Sequence, residues 1–157
     1  MPVNLVHPRR LLSRAATSIL LLAAASCAQP PTTASVEIPP IPPQQGRVWF
    51  YREVDPHNNP TTPYVRLNGA IAGVPEQRGA FYRDVPPGHY RITVDSEGMS
   101  PSPSREVALV AGQQIYAKIG LGGSWNGQGF TVAVESSEVG HTAIEHSKFN
   151  GVNPAGP

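Results

Sequence analysis

Pro86-Pro87-Gly88-His89-Tyr90-Arg91-Ile92-Thr93-Val94-Asp95 is the stretch that decides the fold class. In an extended chain Tyr90, Ile92 and Val94 point one way, and His89, Arg91, Thr93 and Asp95 point the other. That is the period of a half-buried strand with a solvated outer face. The prolines fix φ and Gly88 relaxes the backbone, so the preceding element must end in a tight turn.

The same grammar continues upstream. Residues 79–85 predict a strand that closes on the Pro-Pro-Gly turn. Before it, residues 64–67 and 70–74 are two short strands joined by Asn68-Gly69, a two-residue hairpin signal because both residues accept positive φ. Residues 55–60 hold too many breakers for anything but a loop. Residues 47–52, Arg-Val-Trp-Phe-Tyr-Arg, form a strand that is aromatic on both faces.

Downstream, residues 97–104 form a Ser/Pro loop around Met99. Strands are expected over 106–110 and 114–121, joined at Ala111-Gly112. Residues 122–129 form a glycine-rich loop with Trp125 near its tip, and Phe130, Val132 and Val134 mark one face of a last strand. Ser136 or Ser137 caps a short helix from 138 to about 146 with Val139, Ala143 and Ile144 on its inner side. The expectation is an all-β fold: a single antiparallel β-sandwich, immunoglobulin-like or PEGA-like, over residues 47–147. It has about seven or eight strands and a short C-terminal helix. Residues 148–157 are expected to be a flexible tail. Roughly 100 residues suffice for one core without metals or disulfides.

The N-terminal part follows different rules. His7, Arg9, Arg10 and Arg14 form a positive leader, and residues 15–25 are apolar except for Thr17 and Ser18. Such a run is shorter than the roughly 18 residues needed to span a bilayer, and it ends in small side chains, as secretory signals do. Ala24-Ala25-Ser26 then meets Cys27, the only cysteine of the 157 residues. A cysteine there supplies the soft nucleophile for lipid transfer. Residues 1–26 are therefore expected to be a lipoprotein signal peptide, with Cys27 acylated by palmitate-type chains and serving as the mature N-terminus. Several chains are needed because one holds a protein only marginally. Lipidation of Cys27 would exclude disulfides, zinc-thiolate sites and cysteine nucleophiles from the mature chain.

Bacterial lipoproteins with aspartate after the cysteine tend to stay in the inner membrane. Ala28 stands there in this chain, so the resemblance implies the outer membrane, with the domain facing the periplasm. Residues 27–46 carry Pro30, Pro31, Pro39, Pro40, Pro42 and Pro43, which disfavour helix and sheet. They are expected to be a tether, and residues 28–46 in polyproline form would reach roughly 50–60 Å.

Charge bounds the partners. Removing residues 1–26 takes Arg9, Arg10 and Arg14, and no acid, from 12 basic and 11 acidic residues. The remainder is slightly acidic and has no electrostatic footprint for nucleic acid.

Chemistry is sparse. His141 and His146 are five apart, so they do not share a helix face as a metal pair would. His57 and His89 stand alone. Asp95 and Glu97 flank Ser96 and have the residue types for a cation site or an acid–base pair, but the second half of either is missing, and solvated turn charges fit as well. No serine sits in a G-x-S-x-G elbow. The 122–129 loop lacks the lysine and following helix of a phosphate cradle. Trp125 is a candidate binding anchor, or a ring that folds back over the sandwich edge. Trp49 and Tyr51 carry the same choice, the C-terminal helix being one cover for their face.

No catalytic residue, metal ligand set or cofactor is therefore expected. The expected partners are the membrane, through lipid on Cys27, and an envelope protein. The alternative is a small-ligand or enzymatic site at the loop end, gathering Asp95, Glu97, His57 or Trp125.

Four segments carry a resemblance. Gly46-Arg47-Val48-Trp49-Phe50-Tyr51-Arg52, Val65-Arg66-Leu67-Asn68-Gly69, Val85-Pro86-Pro87-Gly88-His89-Tyr90 and Tyr116-Ala117-Lys118-Ile119 occur in the order seen in the small bacterial lipoproteins grouped as domain of unknown function 2846. The hairpin followed by the Pro-Pro-Gly turn also resembles PEGA-type surface modules. The resemblance covers about residues 46–144. It implies a β-sandwich lipoprotein without an established activity and offers no catalytic residue.

Overall fold

In the computed structural model, which describes residues 1, 31–54, 61–99, 101–122 and 129–151, the aromatic first strand lies at the centre. This strand, β1 (Gly46–Arg52), is buried at every position. Its odd and even side chains serve two cores. Val48 and Phe50 face inward with Phe81, Ala117, Ile119 and Val132, and meet Val65, Leu67, Ile92, Val94 and Leu109 of a second sheet. Trp49 and Tyr51 face outward into a second cluster with Tyr82, Tyr116 and Ile144. A strand covered on both faces carries apolar side chains on both, which is why Val48 to Tyr51 do not alternate.

The remaining elements are β2 (Val65–Leu67), β3 (Ala70–Gly73), β4 (Gly79–Val85), β5 (Gly88–Val94), β6 (Ser104–Leu109), β7 (Gln114–Leu121), β8 (Phe130–Glu135), α1 (Ser137–Glu145) and β9 (Lys148–Phe149). They make a five-stranded sheet of order β8-β7-β1-β4-β9 and a four-stranded sheet of order β3-β2-β5-β6. The described residues are thus mostly β, with two facing sheets and one short α-helix. Asn68 (φ 48°) and Gly69 (φ 86°) both adopt positive φ at the β2–β3 turn, as the hairpin signal requires. The Asn68 amide ties this turn to β5: Oδ1 accepts from the Arg91 amide at 2.8 Å and Nδ2 donates to the His89 carbonyl.

The expected all-antiparallel pairing is corrected. β1 runs antiparallel to β4 but parallel to β7, with Val48 opposite Ile115, and β4 runs parallel to β9. After β4 the chain crosses to the second sheet, reverses through the β5–β6 hairpin, and returns on the free side of β1 in the direction of β1. Side-chain period reports which face is buried and says nothing of neighbour direction.

Nine strands are found among the described residues where about seven or eight were expected. The addition, β9, falls in the predicted tail and holds Lys148 opposite Gly79. Helix α1 is capped by Ser136, whose hydroxyl accepts from the Val139 amide. It covers the Trp49–Tyr51 face, but Val139 points outward, 53% exposed, whereas Gly140 and Ile144 are buried. The inner stripe is rotated because the helix approaches Tyr116 at Gly140: a Cβ there would lie 2.3 Å from Tyr116 Cβ.

Strand ends define two poles. Arg52, Gly79, Leu121 and Phe130 mark a loop end, where the longer connections gather. Val85, Gln114 and Glu135 mark the opposite turn end. Among the described residues no helix is long and apolar enough to cross a membrane. Cys27, His57, Trp125 and residues 152–157 lie outside the described residues.

Candidate functional site

The N-terminal segment, expected to hang free as a spacer, is built into the fold from Pro31 onward. The Pro31 carbonyl accepts from the Phe149 amide at 2.9 Å, and the Thr33 amide donates to the Ser147 carbonyl at 2.8 Å. Thr32 bridges Lys148 in antiparallel fashion. A 3₁₀ turn follows at Thr33–Ser35. The chain then crosses the outer face of the five-stranded sheet, where Ile38 packs on the Trp49 cluster. It reaches the turn end at Gln45, whose carbonyl accepts from the Gly112 amide.

Arg47 fastens this crossing. Its side chain is only 4% exposed and makes a two-pronged pair with Asp84, at 2.7 and 2.8 Å. Nη1 donates to the Pro39 carbonyl at 2.9 Å, and the guanidinium lies 3.9 Å from the Tyr82 ring centroid. A buried cation needs such a set of partners to offset its desolvation. Trp49 donates from Nε1 to Gln114 at 2.9 Å, so the indole is a structural ring with its polar edge satisfied.

A groove of about 810 Å³ runs beside α1, between the helix and the segment leaving β1. Val54 and Val139, both about half exposed, form its apolar flanks, with Arg78, Glu53 and Glu138 at the margins. Tyr51 is fully buried and its hydroxyl has no hydrogen-bond partner among the described residues. Burial, reinforced by Glu135 and Glu53, pushes that hydroxyl up to about 12, so it stays neutral at physiological pH.

At the loop end a second cleft of about 690 Å³ brings Asp95, Ser96 and Glu97 together with Tyr64 and Thr62. The sequence placed the two carboxylates near each other, but their surroundings separate them. Asp95 accepts from Arg66 Nε at 2.9 Å and Nη2 at 2.8 Å, and this bond raises the Arg66 pKa. Ser96 is buried, and its hydroxyl accepts from the Phe130 amide at 2.7 Å. Glu97 is exposed. Among the described residues the cleft therefore offers hydroxyls, a carboxylate and a phenol ring to a polar ligand, with no base aligned on a nucleophile.

The described histidines do not converge. His89 is exposed on β5, and His141 Nε2 lies 3.3 Å from Glu145, one turn along the helix. Among the described residues no group of three or more His, Cys, Asp or Glu could hold a metal ion. The feature that sequence reasoning missed is the docked segment. Its signals were Arg47 and Asp84 inside otherwise buried strands and Ile38 and Ile41 among the prolines, but pairing them required the sheet order. The chain matches no family model, no curated protein and no solved structure.

Proposed function

We propose that this chain is a bacterial envelope lipoprotein, anchored in the outer membrane through lipid on Cys27. Its periplasmic β-sandwich then serves as a non-enzymatic interaction module for an envelope protein. The observation that carries this reading is the docking of residues 31–45. The chain just after the lipobox cysteine is part of the domain, as suits a module held at a membrane. The groove flanked by Val54 and Val139 supports it as an exposed apolar surface. The sandwich is taken to be immunoglobulin-like or PEGA-like, and the chain to belong with the lipoproteins of domain of unknown function 2846. The support is that Asn68-Gly69 and Pro86-Pro87 fall at strand connections.

In-cell crosslinking of the tagged full chain, followed by mass spectrometry, tests this. The expected result is a single envelope partner, lost in Cys27→Ser and weakened in Val139→Arg. Turnover of an envelope substrate by the purified domain would overturn it. A second reading, a small-ligand or enzymatic site, is favoured by one observation, the polar cleft at the loop end. It predicts saturable binding of a polar ligand that Glu97→Gln abolishes.

A further inference from the structure

The docked segment leaves very little free chain between the proposed anchor and the domain. Pro31 is fixed by its bond from Phe149, and Thr32 by its bridge to Lys148. Only Ala28, Gln29 and Pro30 separate Cys27 from Pro31. Four residue steps of an extended chain cover at most about 14 Å. A free tether of the same sequence would have reached several times farther, and would have let the domain present any face to the bilayer.

Where Pro31 sits then limits which faces can lie at the bilayer. It lies beside β9, which pairs with Gly79 and Ala80 at the start of β4, so the attachment point is the β9 edge of the five-stranded sheet, at its loop end. The Lys148 amide donates to the Arg78 carbonyl at 2.6 Å, which places two exposed cations next to that point. Glu76 lies in the same turn, its carbonyl accepting from the Gly79 amide, and Glu53 and Glu138 line the groove together with Arg78. Basic side chains are attracted to an anionic lipid surface. The turn end, with Pro86, Pro87, Ala111 and Gly112, lies about 20 Å away along the strands.

We propose that the β9 edge and adjoining loop end of the domain are held against the lipid surface, so that the groove beside α1 opens at the bilayer and the turn end projects away from it. This rests on the lipidation of Cys27 proposed above. The partner surface is thus membrane-proximal, and it suits a protein that itself lies at or in the membrane.

The full lipidated chain in vesicles of phosphatidylethanolamine and phosphatidylglycerol provides the test. With the Cys27 sulfur blocked by lipid, an introduced cysteine is the only thiol. Glu76→Cys and Ala111→Cys, both at exposed positions, are labelled with a fluorophore and quenched by headgroup-labelled nitroxide lipid. The expected result is severalfold stronger quenching at position 76 than at 111. A long Gly/Ser insertion between Ala28 and Gln29 should erase the difference. Equal quenching at both positions, in protein that still floats with the vesicles, would overturn the orientation and leave the anchor standing. Protein that does not float and carries an unmodified Cys27 would remove both.

Discussion

Arg47 shows how much of this fold depends on one side chain. Its guanidinium joins Asp84, the Pro39 carbonyl and the Tyr82 ring, linking two neighbouring strands to the N-terminal segment. Arg47→Met strands the Asp84 carboxylate, itself only 15% exposed, without its cation. Removing one partner of such a pair costs about 3–5 kcal/mol, whereas replacing both by apolar groups is often close to neutral. Urea denaturation should therefore show a large loss for Arg47→Met and a substantial recovery in Arg47→Met/Asp84→Leu. Tyr51 makes a second prediction. Its hydroxyl is buried, unpartnered and raised from 10.0 to about 12, first by burial and then by Glu135 and Glu53. A raised folded-state pKa means that the folded protein holds the proton more tightly. The associated stability is intact below pH 10 and is lost as pH rises from 10 toward 12. Tyr116 titrates in the same direction, again chiefly through burial. Tyr51→Phe should leave neutral-pH stability unchanged or raise it by up to about 1 kcal/mol, since no hydrogen bond is lost. It should also shallow the decline in chemical denaturation midpoint above pH 10.

At the scale of elements, α1 depends on a close approach. In an exposed helix Gly140→Ala would gain about 1 kcal/mol from propensity. Here the new methyl would overlap Tyr116 at 2.3 Å, and overpacking of that kind costs about 1–3 kcal/mol. The overlap wins, so thermal unfolding of Gly140→Ala should show a lower midpoint. The strands themselves were largely legible. Residues 79–85 and 114–121 form β4 and β7 within the expected limits, and the Asn68-Gly69 turn takes the backbone its residues favour. Neighbour relations were not legible. Nothing local in Gln114-Ile115-Tyr116 says that this strand lies parallel to β1, because that depends on which side of β1 is still free after β4 has paired. The helix stripe failed for a related reason: a glycine contributes nothing to an apolar pattern, yet Gly140 is the point of closest packing. The candidate site was less legible still, since Asp95 and Glu97 flank one residue in sequence but only the structure shows that Arg66 engages Asp95.

For the whole molecule, the decisive change from the sequence expectation is the place of the N-terminal segment. Prolines keep residues 31–45 from forming a long helix or a full sheet ladder, but they do not bar docking. Backbone bonds to Ser147 and Gly112 and the grip of Arg47 supply what regular structure would have supplied. Deleting residues 28–45 from the unlipidated chain should therefore lower the unfolding free energy by about 2–4 kcal/mol, through lost burial of Ile38 and lost acceptors, as read by urea titration. A merely tethering segment would leave it unchanged. With that segment docked, the function turns on whether Cys27 is the anchor. The most direct measurement is the mass of the mature N-terminal peptide from protein extracted from membranes of the native host. The expected peptide begins at Cys27 and carries diacylglyceryl on sulfur and an acyl chain on nitrogen. A mature chain that begins elsewhere, or one that carries a free Cys27 thiol, would contradict the anchored module.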